Sequence, residues 1–292
     1  MKMKKLVLLL LMITVSLAAG KIRVIATIFP VYDLSRQVGG GLCEVSMLIP
    51  PGTESHSYEP TPGQITGLGK CDLLVYTNPY MEPWIEKAAR GAGVEPGSLV
   101  NSCKNIEFLG GDSDDPGGKD PHAWLDPMNA ARMAGNIAAA FERKDPANAE
   151  KYRRNAKAYI SSLHEFDALA KTTVSGFSKK KFFFAGHFAY GYFVKRYGLT
   201  YDSPFKGFSP DAEPTPKALA RMSDGIKKAG ATVIYREELL SSRLADALAS
   251  SGGLTVLELS AAHNITKKEQ SGGVTLLAIF QRNLNNLERG LK

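Results

Sequence analysis

Four of the five histidines in this 292-residue chain share a position relative to the predicted elements, because each follows a run of residues typical of a β-strand. They are His56, His122, His187 and His263. Neutral imidazole binds zinc and related metals well, and a tetrahedral zinc site takes about four donors. We therefore interpret these four side chains as candidate metal ligands. The fifth histidine, His164, falls within a helical pattern and off its apolar stripe, so we expect it to face solvent.

Prolines surround the first two of these histidines. The stretch "SHSYEP" at 55–60 follows Pro50-Pro51, and Pro121 directly precedes His122. Proline restricts the backbone, so a ligand held in such a loop loses less conformational entropy when it binds a metal. The stiff loops therefore favour a ligand role over a solvated one.

Strand-like and helical patterns alternate along the chain and set where these loops lie. Predicted strands cover 22–28, 44–49, 72–76, 105–109, 181–186, 199–203, 231–236 and 254–259. Predicted helices cover 31–38, 62–68, 82–90, 128–143, 189–197, 215–229, 241–251 and 274–290. This βαβ order indicates parallel sheets covered by helices. Because ligands bind outside the carboxyl ends of such strands, the four loops are expected to converge there.

An uninterrupted helical pattern divides the chain into two halves. From Pro146 to about Ser175 there is no internal proline or glycine, and apolar residues recur at spacings of three and four. The stripe comprises Tyr152, Ala156, Tyr159, Leu163, Phe166 and Ala170. We expect an α/β protein with two Rossmann-like lobes of mainly parallel sheets, at 21–145 and 177–292, joined by one long rigid helix at 146–176.

The first twenty residues have the pattern of an export signal. Three lysines precede an apolar run from Leu6 to Leu17, and small residues follow at 18–20, where we expect cleavage. The run is shorter than the roughly 20 residues of a membrane span. No cysteine lies at this point, which favours a free periplasmic protein over a lipid-anchored one. Without the three lysines the formal charge falls from +7 to +4, which is too small to indicate nucleic-acid binding.

The cysteines show no metal-binding pattern. Cys43, Cys71 and Cys103 are odd in number and lack paired spacing, so at most one disulfide can form among them. Buried thiols are an equally good interpretation, and we assign them no chemistry.

Four stretches carry a resemblance to a known family. They are "PPGTESHSYEPTP" at 50–62, "DPHAWLDP" at 120–127, "FFFAGHFAYGYFVKRYGL" at 182–199 and "SPDAEPTP" at 209–216. Together they resemble the metal-specific solute-binding proteins of ABC importers, the ZnuA-like and TroA-like group. The resemblance implies a carrier and not an enzyme, expected to be a monomer. It would hold a metal between two lobes and pass it to a membrane permease with a cytoplasmic ATPase.

The resemblance also implies ligand roles. His56, His122 and His187 match the family's first three ligands, and histidine at the third position is typical of zinc-type members. Manganese-type members tend to carry a carboxylate there, so Zn²⁺ is the expected cargo and Mn²⁺ or Fe²⁺ the alternative. The family's fourth donor is often a carboxylate after the final strand. Here "LELSAAHNIT" offers His263, while Glu54 or a water molecule are alternatives.

One further departure from the family pattern and one neighbouring residue bear on the site. The loop "GGDSDDPGGKD" before the second ligand is acidic and lacks the histidines that many zinc-type members carry, so we expect no metal capture by Asp112, Asp114 or Asp115. Asp126 is interpreted either as a hydrogen-bond partner that orients His122 or as the N-cap of the helix that begins at Pro127.

Two other classes of protein fit part of the pattern. A secreted zinc hydrolase would use three histidines and an open position that activates water. The sequence lacks an HExxH motif, since His164-Glu165 is followed by Phe166, Asp167 and Ala168. An adhesin on the same scaffold is the other alternative, because a fold does not determine a function.

Overall fold

The structure is a computed structural model that describes residues 20–110, 118–187, 189–205, 207–208, 214–238 and 243–292. The predicted export signal at 1–20 lies outside the described residues except for Gly20, and so do the three aspartates of the acidic loop.

Two parallel sheets form the centres of two lobes, as the sequence predicts. The strands of the first lobe are β1 (Ile22–Ala26), β2 (Cys43–Met47), β3 (Leu73–Tyr76) and β4 (Leu99–Asn101). Those of the second lobe are β5 (Lys181–Ala185), β6 (Thr200–Asp202), β7 (Val233–Glu237) and β8 (Thr255–Leu259). In the described part of the chain the strand orders are β2-β1-β3-β4 and β6-β5-β7-β8. Since all pairings are parallel, the carboxyl ends of the strands in each sheet face one edge.

One strand prediction is wrong. The segment at 105–109 is not a strand, and the fourth strand of the first lobe lies earlier, where Leu99 pairs with Leu74. Asn105 has a positive φ of 62°, which breaks the extended conformation at the start of the predicted run. The apolar side chains that suggested a strand, Ile106, Phe108 and Leu109, instead contact the core from a loop. His122 therefore does not follow a strand directly.

Helices cover the sheets. In the first lobe they are α1 (Phe29–Gly39), α2 (Pro62–Leu68), α3 (Ile85–Gly91) and α4 (Pro127–Lys144). The long helix is α5 (Ala149–Ser175). In the second lobe they are α6 (Gly191–Tyr197), α7 (Pro216–Lys228), α8 (Arg243–Gly252), α9 (Lys267–Ser271) and α10 (Leu276–Leu291).

Helix α5 joins the lobes. Its 27 residues span about 40 Å at 1.5 Å per residue. All six apolar residues of the predicted stripe are buried. They belong to one buried cluster that also includes Val24 of β1 and Leu259 of β8, so the core is continuous from one lobe to the other.

A buried carboxylate also connects the two lobes through hydrogen bonds. Asp33 of α1 accepts hydrogen bonds from the Tyr159 hydroxyl of α5 at 3.1 Å and from the backbone N–H of Leu276 at the start of α10 at 2.8 Å. This side chain thus links its own helix in the first lobe to α10 in the second lobe and to the long helix between them. Burial raises the pKa of Asp33, although these hydrogen bonds oppose the change.

The cysteines are free thiols. Cys43 and Cys103 are buried, and Cys71 is half-buried. The interpretation as structural thiols is therefore the one that the fold supports. Within the described ranges, no helix combines the length and the apolar composition that crossing a membrane requires.

Candidate metal centre

The four predicted ligands come from loops at the carboxyl edges of the two sheets. His56 follows β2 through a loop that stays bonded to the sheet as far as Ile49, whose N–H donates to Thr27 O at 3.0 Å. His187 comes two residues after β5, and His263 comes four residues after β8. His122 precedes a short 3₁₀ turn at Ala123–Leu125 that leads into α4. Two ligand loops thus come from each lobe.

The structure brings all four imidazoles together. Ring centroids are 5.0 Å apart for the three pairs among His56, His122 and His187. His263 lies 5.5 Å from His56 and from His187, and 6.4 Å from His122. His122 and His187 are fully buried, and His263 is almost so. His164, in contrast, lies on an exposed face of α5, as predicted.

Two of the nitrogen–nitrogen distances match the edges of a tetrahedral zinc site. The Nε2 atom of His122 lies 3.2 Å from Nε2 of His56 and 3.1 Å from Nε2 of His187. Zn–N bonds of about 2.0–2.1 Å give a tetrahedron with edges of about 3.3–3.4 Å. Donor nitrogens of His56, His187 and His263 also lie within 4.8 Å of one another. The cluster is therefore of the size that a single small cation bridges.

Two buried carboxylates fix the orientation of two of the rings. Asp120 Oδ1 lies 2.9 Å from Nδ1 of His122 and also accepts the backbone N–H of that histidine at 2.9 Å. Glu237, the last residue of β7, lies 2.8 Å from Nδ1 of His187 and accepts its backbone N–H at 3.0 Å. A carboxylate at Nδ1 keeps the proton on that atom, so the Nε2 lone pair points into the cluster. One such partner comes from each lobe.

Two glycines of the second lobe leave space for these carboxylates. A Cβ atom at Gly186 would lie 2.6 Å from Glu237 Oε2, and one at Gly191 would lie 2.5 Å from Asp120 Oδ2. Both distances are far below van der Waals contact, so a larger residue would displace the carboxylate. This explains why "AGHFAYG" carries a glycine on each side of His187.

Burial and the neighbouring carboxylates shift the pKa values of the histidine rings in opposite directions. Burial lowers the pKa of His56 and of His122 well below its usual value, and the neighbouring histidines add to the effect. Burial would also lower the pKa of His187, but the Glu237 carboxylate outweighs it and the net pKa is raised. Burial raises the pKa of Asp120 to about 7, although the His122 N–H opposes the change. Neutral imidazole, the metal-binding form, is thus favoured at His56 and His122.

The sequence leaves the roles of Glu54 and Asp126 open, and their hydrogen bonds show which role the geometry supports. Glu54 Oε1 accepts the backbone N–H of His56 at 2.8 Å, so this carboxylate braces the loop. Asp126 caps α4 by accepting the Met128 N–H at 2.8 Å, and it also contacts Arg196. The orienting partner of His122 is Asp120 instead. Sequence reasoning missed Asp120 and Glu237, although Asp120 stands only two residues before His122 and Glu237 directly follows the predicted strand at 231–236.

The fold and the cluster define a class of protein. Two parallel-sheet lobes joined by one long helix, with a cluster of histidines where the lobes meet, are the architecture of a metal-specific solute-binding protein. The chain belongs to the family "ZnuA: Zinc-uptake complex component A periplasmic", whose model matches residues 24–290.

Individual relatives agree with this assignment. The chain is 36% identical over 282 residues to the high-affinity zinc uptake system protein ZnuA of Bacillus subtilis. The match covers 93% of this chain and 88% of the relative. It is 32% identical to the zinc-binding protein AdcA of Streptococcus pyogenes over 93% of this chain, but it spans only 56% of that longer protein.

Solved structures match along almost the whole chain. The Zn(II)-bound ZnuA-like domain of Streptococcus pneumoniae AdcA has a TM-score of 0.80 and 30% identity, covering 93% of this chain and 99% of that one. The laminin-binding protein Lmb of Streptococcus agalactiae, described as bifunctional with adhesin and metal-transporting activity, has a TM-score of 0.84 and 27% identity, covering 94% and 100%.

Proposed function

We propose that this protein captures Zn²⁺ between its lobes and delivers it to an ABC permease driven by a cytoplasmic ATPase. The ligands are His56, His122, His187 and His263. The observation that carries the proposal is the pair of Nε2 distances from His122, 3.2 Å to His56 and 3.1 Å to His187, with Nδ1 of His122 and of His187 fixed by carboxylates. Membership of the zinc-uptake family supports the same cargo and the same partner.

The donor set favours zinc over the alternative cargoes. Four imidazoles suit zinc, whereas manganese prefers carboxylate, carbonyl and water oxygens. Glu54 is engaged by the His56 N–H and is therefore assigned a bracing role, which leaves the fourth position to His263. Fe²⁺ and Mn²⁺ are accordingly the weaker candidates.

The arrangement favours a carrier over a hydrolase. Catalytic zinc sites keep one coordination position open for water, whereas sites with four protein ligands are closed. His122 and His187 are fully buried, so water reaches two of the four ligands poorly. We assign the protein no catalytic activity, a monomeric state, and a periplasmic location after export by residues 1–20.

Metal analysis of the purified protein tests the proposal. Protein purified without added metal is expected to hold about one zinc per chain by elemental analysis, and Mn²⁺ in excess should not displace it. A metal-free product that binds no Zn²⁺ in calorimetry would refute the binding role. Delivery is tested by growth under zinc limitation, which should fail in a strain that lacks the protein and recover when zinc is added. Growth that does not depend on the protein would support the adhesin alternative.

A further inference from the structure

Asn264 connects the two lobes beside the metal centre. It follows His263 directly and is 4% exposed. Its Oδ1 accepts the backbone N–H of Gly52 at 3.0 Å and that of Ile265 at 2.7 Å, while its Nδ2 donates to the Thr53 carbonyl. Gly52 and Thr53 belong to the loop that carries His56. One amide side chain therefore joins the loop of a first-lobe ligand to the loop of a second-lobe ligand.

Other contacts fix the loop at 261–265 between the lobes. On the side of the second lobe, Glu238 accepts the backbone N–H groups of Ala261 at 2.9 Å and Ala262 at 3.1 Å. Ala262 has a φ of 56°, a left-handed conformation that alanine rarely adopts without such support. On the side of the first lobe, the Trp124 Nε1–H donates to Ala261 O at 2.8 Å. The loop is thus anchored in one lobe and reaches both ligand loops of the other.

We propose that Asn264 is a positioning residue that sets how long the captured metal remains bound. This inference rests on the proposed function. A metal held by histidines from both lobes leaves only when those histidines separate. His56 can move away from His263 only after the bonds of Asn264 to Gly52 and Thr53 break. Asn264 therefore acts on metal release through the His56 loop, without touching the metal.

The dissociation rate of zinc tests this role. The Asn264→Ala variant is expected to release Zn²⁺ into excess chelator at least about tenfold faster than wild type in stopped-flow measurements, because the hydrogen bonds from the side chain to Gly52, Thr53 and Ile265 are lost. The association rate should change much less. Asn136→Ala is a matched control, since the Asn136 amide donates to the carbonyls of Ser102 and Lys104 within a single lobe. Its release rate should equal that of wild type.

The outcomes separate this inference from the proposed function. If wild-type protein binds no zinc, the proposed function fails. If wild type binds zinc and Asn264→Ala releases it at the rate of the Asn136→Ala control, only the role of Asn264 is refuted.

Hydrogen exchange on the wild-type protein provides a test that does not depend on the folding of a variant. If the connection retains the metal, the metal must stabilise the connection to the same extent, because coupling between two binding events is reciprocal. The Gly52 amide, which donates to Asn264 Oδ1 and to Ile265 O, should exchange more slowly in the zinc-loaded protein. The Leu254 amide, which donates to Ala249 O at the opposite end of β8, serves as the internal reference. Equal exchange at Gly52 with and without zinc would overturn the inference.

Discussion

Glu237 binds His187 twice, through the ring and through the backbone. Its Oε2 atom lies 2.8 Å from Nδ1 of the histidine and 3.0 Å from its backbone nitrogen. Both partners are buried, so solvent does not compete for these bonds. Because the carboxylate keeps the proton on Nδ1, the Nε2 lone pair remains directed at His122. Glu237 at the end of β7 thus orients the ring of His187, which follows β5, for metal binding.

Replacing Glu237 by glutamine tests this relationship. The amide keeps the shape of the side chain but removes the charge that fixes the ring, so we expect zinc affinity to fall by about 10- to 100-fold in calorimetry. Glu258→Gln is the control, since Glu258 pairs with Arg236 and Arg282 at a partly exposed position away from the histidines. Equal affinities in the two variants would show that the Glu237 charge has no role in binding.

His122 tests the ligand set itself. Its Nε2 is the one that lies close to Nε2 of both His56 and His187, so His122→Ala removes the shared vertex of the cluster. We expect a loss of at least about 100-fold in zinc affinity, more than the loss of a supporting residue causes. His164→Ala changes a histidine on the exposed face of α5 and should bind zinc as wild type does. Full affinity in His122→Ala, measured by competition with a chelator, would remove His122 from the site.

The sequence predicts the candidate ligands better than their supporting residues, and the reason is physical. His56, His187 and His263 follow strands with clear apolar patterns, and the carboxyl ends of parallel strands necessarily converge. The partnership of Glu237 with His187 depends on the pairing of β5 with β7, which places Ala185 beside Arg236 across about 50 positions of sequence. No local pattern encodes that register.

The misplaced strand has a different cause. Strand β4 is only three residues long, too short to give a periodic signal. The segment at 105–109 has the apolar alternation of a strand, but its side chains pack on the core while its backbone does not join the sheet. Periodicity reports which side chains are buried, and it does not report whether the backbone pairs.

The pH dependence of zinc binding follows from two groups whose pKa values are raised. Burial lowers the pKa of His187, but Glu237 outweighs it and leaves the value above its usual one, while burial raises the pKa of Asp120 to about 7. Both groups bind a proton more tightly in the folded, metal-free protein than in the unfolded chain, so their protonation stabilises the metal-free fold at low pH. This stabilisation disappears as the pH rises through their folded pKa values. Zinc requires neutral His187 and favours ionised Asp120, so binding releases protons near neutral pH. We expect affinity to fall as the pH drops through 7, earlier than an unperturbed histidine with a pKa of about 6.5 would give.

Calorimetry in buffers of different ionisation enthalpy measures those protons. About one to two protons per zinc are expected at pH 6.5, and fewer as the pH rises toward 9. A proton count of zero at pH 6.5 would contradict the protonation assigned to His187 and Asp120.

His263 provides the test of metal choice. In the proposed site its imidazole makes the donor set entirely nitrogen, and replacing it by aspartate introduces the oxygen donor that manganese prefers. We expect His263→Asp to narrow the ratio of Zn²⁺ to Mn²⁺ affinity by about tenfold, which corresponds to about 1.4 kcal/mol. His263→Ala controls for loss of the imidazole alone and should weaken both metals without favouring Mn²⁺. Glu237 Oε1 lies 4.0 Å from His263 Nε2, so the new carboxylate would face a buried like charge and the metal-free variant should unfold at a lower temperature than wild type. A ratio of affinities that is the same in wild type and His263→Asp, measured by competition between the two metals, would show that His263 does not contribute a ligand atom.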